Sequence, residues 1–332
     1  MNTKIIYVVI SGKVGIYFEQ VWASAWSLKR YNPMAHVIVL TDDATRQSIY
    51  SDERKDSLNC IDEVRVVKFD KKYSNKEKSR WIKTNIRNLI EGDFLFIDAD
   101  TIITGDLSAV DSWNCSIGAV LDSHCHSQEI TDSIPFQDMY VNRLKKVFGL
   151  DYNGEDVFNS GVLYVKDDEI SHRFFKTWHE NWLHSNSKGY HVDQLSLLKT
   201  NMEFGQLIEE IPGEYNCQIR CSIQFLTRAK ILHTFASQEN SSLSIILGTE
   251  LYYEIKREHS ITSNVSRTLI DCKELFTSPS YLVDKKWMKI RFQPAFQFVD
   301  SVIESNRGFD HFLLKMINCM GRVFSYLLRH TK

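Results

Sequence analysis

The order of apolar segments along the chain predicts an α/β fold built on a mostly parallel, doubly wound, Rossmann-like sheet. Short runs rich in β-branched residues alternate with longer segments whose apolar residues recur at helical spacing. The first run, residues 4–11, is almost continuously apolar, which is typical of a strand covered on both faces. Strands that alternate with helices in this way pair in parallel, because each helix returns the chain across the sheet.

The first half of the chain supplies the clearest strands and helices. The first helix is defined by apolar residues at helical spacing, and Asn32 and Pro33 end it. Ser79 is expected to cap the second helix, and the strand that follows runs directly into Asp98 and Asp100. In chain order, the predicted elements are strand 4–11, helix 17–31, strand 36–40, strand 64–69, helix 79–90 and strand 94–97.

The second half of the chain is more mixed. Because no linker rich in proline or glycine interrupts it, we expect residues 1–240 to form one catalytic domain, followed by a mainly helical region over 241–332. The predicted elements here are strands 116–121 and 162–166 and helices 169–185 and 192–200.

The end of the chain, residues 309–332, reads as a basic amphipathic helix. Its apolar stripe is too interrupted to span a bilayer. Two interpretations stay open for this tail: it packs on the protein body, as most such stripes do, or it binds a membrane surface.

Composition and charge exclude several classes of protein. The 332 residues carry a formal net charge of −2, whereas proteins that bind nucleic acid usually show a basic excess, so no nucleic-acid partner is expected. The seven cysteines form no CxxC pair, which argues against structural zinc and is typical of a reducing cytoplasm. The N-terminal apolar run is short for a signal peptide. We therefore expect a cytoplasmic protein, attached to the inner face of the membrane if residues 309–332 bind it.

The sharpest local feature is the pair Asp98 and Asp100, which follows the predicted strand 94–97. In open α/β sheets, ligands bind at the carboxyl ends of the strands. Two carboxylates separated by one residue can converge there on Mg²⁺ or Mn²⁺, which prefer oxygen ligands and keep positions free for substrate phosphates. The alternative is a loop with two solvated acids, but the apolar run before the pair favours a metal site.

Residues 94–107, FLFIDADTIITGDL, resemble the Asp-x-Asp segment of glycosyltransferases with the A-type fold, particularly family eight, the glycogenin and lipopolysaccharide galactosyltransferase group. Other segments resemble the same family in the expected order. They are KIIYVVIS (4–11), KSRWIKTNIRNLI (78–90), SIGAVLD (116–122), FNSGVLYV (158–165), HVDQLSLL (191–198) and ILHTF (231–235). The resemblance implies a nucleotide-sugar transferase of the A-type fold with a helical C-terminal extension.

The resemblance also implies roles for individual residues. The implied metal ligands are Asp98, Asp100 and His233, and the implied catalytic residues are Asp122, Asp193 and Gln194, with Gln194 beside the anomeric carbon. The implied donor-binding residues are Ile10 and Ser11 near the base, Arg80 and Lys83 near the diphosphate, Asp98, Ala99 and Asp100 at the metal, and Asn159 and Ser160 near the sugar.

The activity implied by the family is transfer of a hexose from a nucleoside-diphosphate sugar to a glycan or glycolipid acceptor, with retention at the anomeric carbon. The implied cofactor is a divalent cation, Mn²⁺ or Mg²⁺. Bacterial capsule or lipopolysaccharide synthesis is the setting that the family suggests. Uridine is the family's default base, but Gly12-Lys13-Val14-Gly15 replaces its usual Asn/Asp-Tyr pattern, which leaves the base open.

Each candidate residue also has a structural interpretation. His233 could be a hydrogen-bonded core histidine, Asp193 a helix N-cap, and Asn159 a turn residue before a strand. Arg80 and Lys83 could be solvated charges on a helix face.

Three further polar segments receive only structural interpretations. Asp42-Asp43 is taken as a turn with a helix cap rather than a contact to the base. His124 and His126 are taken as loop residues, because no further metal ligands accompany them.

Two other functions stay open. A phosphatase of the haloacid-dehalogenase type also places Asp-x-Asp after an apolar strand, but near its N-terminus and usually followed by Gly-Thr, whereas Thr101-Ile102 follow here. The non-enzymatic alternative is a degenerate transferase that serves as a membrane-surface binding module through residues 309–332.

Overall fold

The computed structural model describes residues 1–12, 15–69, 73–133, 136–235 and 249–273, together with 294, 296–299 and 316. The strands are β1 Lys4–Val8, β2 Val37–Thr41, β3 Glu63–Val66, β4 Phe94–Ile97, β5 Thr101–Ile103, β6 Ile117–Leu121, β7 Phe158–Val165, β8 Glu209–Glu210, β9 Cys217–Gln218 and β10 Ile231–His233. The helices are α1 Tyr17–Tyr31, α2 Asp43–Ile49, α3 Asn75–Thr84, α4 Asn142–Phe148, α5 Glu169–Ser187, α6 Asp193–Glu203, α7 Thr249–Glu258 and α8 Ser263–Ile270.

A large sheet forms the centre of the fold, with strand order β3-β2-β1-β4-β7-β6-β8. The strands β3, β2, β1 and β4 pair in parallel, as do β6 and β8. Strand β7 runs antiparallel to its neighbours β4 and β6. A smaller sheet, β5-β10-β9, begins where the chain leaves β4. The predicted mostly parallel α/β sheet is therefore confirmed.

Both faces of the large sheet are covered. Successive side chains of a strand point to opposite faces, so the two sides of β1 enter different cores. Ile5 and Tyr7 join the core that contains Trp22 of α1, whereas Ile6 joins the core that contains Trp178 of α5. This two-sided burial is the reason why the first strand reads as a continuous apolar run.

The predicted bounds of the second long helix are wrong. The helix begins at Asn75 rather than Ser79 and ends at Thr84, with a short 3-10 turn at Ile86–Asn88. The cause is a capping box: Ser74 accepts from the backbone N–H of Glu77, and Glu77 accepts from the backbone N–H of Ser74. The earlier start places the first turn of α3 beside the site described below.

Strand β7 begins at Phe158, four residues before the predicted strand 162–166. Asn159 therefore lies inside a strand, and its interpretation as a turn residue is wrong. The helix-cap interpretation of Asp42 is confirmed, because its side chain accepts from the backbone N–H of Thr45 at 3.0 Å.

Helices α7 and α8 lie in the C-terminal extension, and both pack against α1. Lys256 of α7 donates a hydrogen bond to the backbone oxygen of Gly15 at 2.8 Å, next to the N-terminus of α1. No helix in the part of the chain that the structure describes is long and apolar enough to cross a membrane. The predicted amphipathic helix over residues 309–332 lies outside the described residues.

A buried ion pair attaches the segment that follows α2 to helix α1. Arg54 lies 2.7 Å from Glu19, and their side chains are only 5% and 1% exposed. The Arg54 guanidinium also stacks on Phe18 and donates to Ser48 at 2.8 Å. A buried pair of this kind stabilises little over an apolar pair, but removing one partner strands the other charge.

We expect Arg54→Ala to lower the free energy of unfolding by about 3–5 kcal/mol, because the Glu19 carboxylate then stays buried without its cation. The double variant Arg54→Met with Glu19→Met should recover most of that loss. Urea unfolding of the wild type, the single and the double variant measures both effects. A double variant no more stable than Arg54→Ala would contradict the coupling of the two charges.

Candidate active site

The carboxyl ends of β1 and β4 open into a cavity of about 640 Å³. Asp98 follows β4 directly, and its backbone N–H donates to the oxygen of Gly161 at 2.7 Å, so the pairing with β7 continues past the strand end. The chain then turns through Asp100 into β5 of the smaller sheet. Both carboxylates thus lie at the junction of the two sheets.

His233 reaches the same point from a distant part of the sequence. It is the last residue of β10, which pairs antiparallel with β5 so that His233 faces Thr101. The backbone N–H of Thr234 donates to the backbone oxygen of Asp100 at 2.9 Å, and this hydrogen bond holds the two chain segments together. As a result, His233 Nε2 lies 3.4 Å from Asp100 Oδ1.

Asp98, Asp100 and His233 form a group whose ligand atoms all lie within 4.8 Å of one another. Two carboxylate oxygens and one imidazole nitrogen suit a divalent cation such as Mn²⁺, and the carboxylates also suit Mg²⁺. Both carboxylate side chains are partly exposed to the cavity, at 27% and 24%, which leaves room for further oxygen ligands. The residues present therefore fit the cation that the sequence predicts.

Lys83 of α3 is buried among the acidic groups. Its Nζ lies 3.2 Å from both oxygens of Asp98, 3.1 Å from Asp193 Oδ2 and 3.1 Å from the Ser160 hydroxyl. One turn earlier on the same helix, Arg80 Nε lies 2.8 Å from Asp193 Oδ1. The interpretation of both cations as solvated surface charges is wrong, since Lys83 is 2% exposed and Arg80 is ion-paired.

Asp193 is a charged anchor rather than a helix cap. Val192 is the N-cap of α6, and the Asp193 side chain turns instead to the cations of α3 and to Ser160, whose hydroxyl donates to it at 2.9 Å. The next residue, Gln194, accepts from the backbone N–H of Ser160 and donates to the backbone oxygen of Phe158. The start of α6 is thereby fixed against β7.

Neutral amides occupy the other side of β7. Asn159 Nδ2 donates to Asp122 Oδ1 at 2.8 Å, and Tyr140 donates to Asp122 Oδ2 at 3.0 Å. Asn216 Nδ2 donates to Asn159 Oδ1 at 2.9 Å, and Asn216 Oδ1 lies 3.0 Å from His233 Nδ1. Asp122 thus reaches the cavity through a line of side chains that ends at His233.

The charges change the acidity of the carboxylates in opposite directions. Burial raises the pKa of Asp98 above its usual value against the attraction of Lys83, and the neighbouring Asp100 carboxylate adds to the rise. Burial would also raise the pKa of Asp100 and Asp193. His233 instead lowers the pKa of Asp100, and Lys83 holds the pKa of Asp193 well below its usual range. An additional cation would therefore stabilise the ionised form of Asp98 more than that of Asp100 or Asp193.

The structure brings the predicted residues together, except for two that do not line the cavity. Ser11 is buried and its backbone N–H donates to Thr45, and Asp122 lies behind Asn159. The predicted residues that line the cavity are Ile10, Arg80, Lys83, Asp98, Ala99, Asp100, Asn159, Ser160, Asp193, Gln194 and His233. His124 and His126 lie outside this cavity lining, and bond to the backbone of Gln218 and to Asp156 respectively.

The cavity also has walls that the sequence analysis missed. The first turn of α3 adds Lys76, four residues before Arg80 on the same helix face. The capping-box sequence Ser74 to Glu77 was the signal for it. Asn216 does not line the cavity but bonds to His233, and it had no local signal, because only the pairing of β9 with β10 brings it there. The other unpredicted lining residues are Val8, Val9, Tyr17, Gln20, Asn75, Ser79, Phe96, Gly161, Val192 and Phe235.

Comparisons with known proteins agree with the observed fold. The profile of glycosyl transferase family 8 matches residues 17–243, while a search of curated protein sequences gives no significant match. The apo structure of the bifunctional glycosyltransferase WbbM superposes with a TM-score of 0.53 at 14% identity, covering 83% of this chain and 52% of WbbM. The galactosyltransferase LgtC, in complex with donor and acceptor sugar analogues, gives 0.50 at 15% identity, covering 80% and 100%. An active-site mutant of LgtC gives 0.51 at 14%, covering 79% and 98%.

This chain spans about half the length of WbbM. At such low identities, the structural likeness shows the fold. That fold is the A-type fold of glycosyltransferases with C-terminal helices added, as the sequence predicts.

Gly161 leaves the space that His233 occupies. A Cβ added at residue 161 would lie 2.3 Å from His233 Cε1 and 2.9 Å from Asn159 Oδ1. We expect Gly161→Ala to displace the imidazole and to weaken Mn²⁺ binding by about tenfold to 100-fold, the usual cost of disturbing the groups around a ligand. Electron paramagnetic resonance of free Mn²⁺ measures this. Gly12→Ala is the control, because its added methyl meets nothing within 4 Å; unchanged Mn²⁺ affinity in Gly161→Ala would refute the assignment.

Proposed function

The chain belongs to glycosyl transferase family 8, and on that premise we propose that it transfers a hexose from a uridine diphosphate sugar to a glycan or glycolipid acceptor. The observation that carries the proposal is that one cavity is lined by a metal-binding group and by two cations beside it. Asp98, Asp100 and His233 form the first, and Arg80 and Lys83 the second. A diphosphate is the ligand whose negative charge calls for both a bound divalent cation and basic side chains. Membership of a transferase family also leaves the phosphatase alternative without support.

A divalent cation, Mn²⁺ or Mg²⁺, held by Asp98, Asp100 and His233 would neutralise charge on the diphosphate as it leaves. Lys83 and Arg80 add positive charge from the α3 side of the cavity, which stabilises the departing diphosphate most at the transition state. Both are fixed in place before the donor arrives by their ion pairs with Asp193.

The charges of the cluster favour joint binding of cation and donor. Asp98, Asp100 and Asp193 supply three negative charges, and Arg80 and Lys83 supply two positive ones. The cluster alone therefore carries one net negative charge. A divalent cation alone makes it positive, and a doubly charged diphosphate alone makes it strongly negative. Only the two together return the cluster to its starting charge, which is why we infer that each strengthens binding of the other.

The polar residues around β7 would orient the sugar. Ser160, Asn159 and Gln194 line the cavity and are held by hydrogen bonds to neighbouring groups, so a hexose of the wrong shape would leave some of them unpaired.

We propose retention at the anomeric carbon. Asp122 and Asp193 each accept on both carboxylate oxygens, which leaves neither poised as a nucleophile. That occupation favours attack by the acceptor on the face from which the diphosphate leaves.

The proposed acceptor is a glycan or a glycolipid. LgtC binds both donor and acceptor sugar analogues in its structure, which supports a site that holds two sugars side by side. Synthesis of a surface glycan on the cytoplasmic face of a membrane, with residues 309–332 as the attachment, stays a prediction.

Replacing Asp100 by Asn should lower both sugar transfer and metal-dependent donor hydrolysis on the order of 100-fold, because an anionic metal ligand is lost. The assay is a panel of nucleoside-diphosphate hexoses with Mn²⁺, scored for hydrolysis and for thermal stabilisation. Asp106→Asn is the matched control, since Asp106 is exposed just beyond β5 and its side chain bonds only to Ser108 within the described structure. Full activity of Asp100→Asn would remove the metal assignment.

Replacing Lys83 by Met should separate cation binding from donor binding. Without Lys83 the cluster is more negative, so Mn²⁺ alone should bind about tenfold more tightly, while uridine diphosphate alone should bind more weakly. Separate calorimetric titrations of Mn²⁺ and of uridine diphosphate measure the two effects. Lys76→Met is the control, because Lys76 lines the same cavity but is exposed to solvent. Unchanged affinities for both ligands in Lys83→Met would contradict the charge argument.

A further inference from the structure

We propose that Asn216 is a positioning residue that fixes the tautomer of His233, and that the carboxylate of Asp122 and the backbone N–H of Gly161 together set the direction of the line of amides between them. The proposal deepens the metal role of His233 and rests on it. Four side chains take part, Asp122, Asn159, Asn216 and His233, and we call them the amide relay. Their successive distances are 2.8, 2.9 and 3.0 Å.

The direction of the amide relay follows from its acidic end. Both oxygens of the Asp122 carboxylate accept hydrogen bonds, one from Tyr140 and one from Asn159. Asn159 must therefore present its Nδ2 to Asp122 and its Oδ1 to the other side. The backbone N–H of Gly161 donates to the same Oδ1 at 2.9 Å, which is a second and independent anchor for this orientation.

The orientation of Asn159 determines which nitrogen of the His233 imidazole carries the proton. Because Asn159 presents an oxygen, Asn216 must present its Nδ2 to it, and Asn216 Oδ1 then faces His233. An oxygen at 3.0 Å from Nδ1 requires that Nδ1 carry the proton. His233 Nε2 is then left with its lone pair, and Nε2 is the atom that faces Asp100.

The opposite orientation would give a different site. If Asn216 turned its amide nitrogen to His233, Nδ1 would accept and the proton would lie on Nε2. Asp100 Oδ1, at 3.4 Å, would take that proton in a hydrogen bond, and no lone pair would face the metal position. The amide relay therefore selects between an imidazole that can ligate a cation and one that is tied to Asp100.

Burial gives the selection its strength. Asn216 is 0% exposed, His233 3% and Asn159 7%, so water has little access with which to satisfy a reversed amide. A reversed amide would set two oxygens or two N–H groups against each other at about hydrogen-bond distance, which leaves buried polar groups unsatisfied. Asp122 can thus influence the metal site without touching it.

The test is the tautomer of His233 in the metal-free protein, read by nitrogen NMR of the ¹⁵N-histidine-labelled full chain. His233→Gln identifies the signals. The wild type should show a protonated Nδ1 at a pH where the imidazole is neutral. Asn216→Leu should lose this pattern, whereas Asn181→Leu should keep it, because Asn181 donates to Thr200 and Glu203 outside the amide relay. An unprotonated Nδ1 in the folded wild type would overturn the proposal.

Mn²⁺ titration followed by electron paramagnetic resonance is the second readout. We expect Asn216→Leu to weaken Mn²⁺ binding about tenfold to 100-fold. Asn216→Asp keeps an oxygen toward His233, so it should bind Mn²⁺ more tightly than Asn216→Leu. No recovery in folded Asn216→Asp would count against the relay. If the wild type shows the Nδ1–H tautomer but binds no Mn²⁺, the metal role fails and the relay stands.

Discussion

The ionic contact of Lys83 with two carboxylates is the constraint on which the site depends. Asp98 and Asp193 come from different elements, β4 and α6, and like charges brought together in a half-buried cavity repel each other. The Lys83 ammonium lies 3.2 Å from the first and 3.1 Å from the second, and also lies over the Phe96 ring. A lysine that is 2% exposed is stable only when paired, so the three groups need one another. That mutual need fixes α3 and the start of α6 to the carboxyl edge of the sheet.

Strand β7 divides this edge into an ionic side and a neutral side. Successive residues of a strand point in opposite directions, and three consecutive residues of β7 use that rule. Ser160 turns to the cations and Asp193, whereas Asn159 and the bare Cα of Gly161 turn to Asn216 and His233. The charges that would receive a diphosphate and the amides that orient a metal ligand are therefore positioned by one piece of chain.

Most of the fold and much of the site follow from local patterns. The bounds of α1 and β4 agree with prediction, because apolar periodicity and an Asn-Pro stop signal are local. The predicted start of α3 is wrong by four residues. The prediction used Ser79 as the N-cap, whereas Ser74, with Glu77 three residues later, carries the capping-box signal. That error is also why Lys76 was missed. The alternative interpretation of Asn159 as a turn residue rested on the good turn chemistry of its sequence, and burial in a sheet overrode that local preference.

The sequence by itself determined which chemical groups are available and on which kind of element each one sits. The apolar run before Asp98 puts that carboxylate at a strand end, and the order of strands and helices makes that end a ligand-binding edge. Tertiary structure decided which of these groups meet. His233 reaches Asp100 only because β10 pairs with β5, and Asn216 reaches His233 only through the pairing of β9 with β10. Such contacts join segments far apart in sequence, where no local periodicity records the register, and the direction of a buried amide is set by the partner that it finds there.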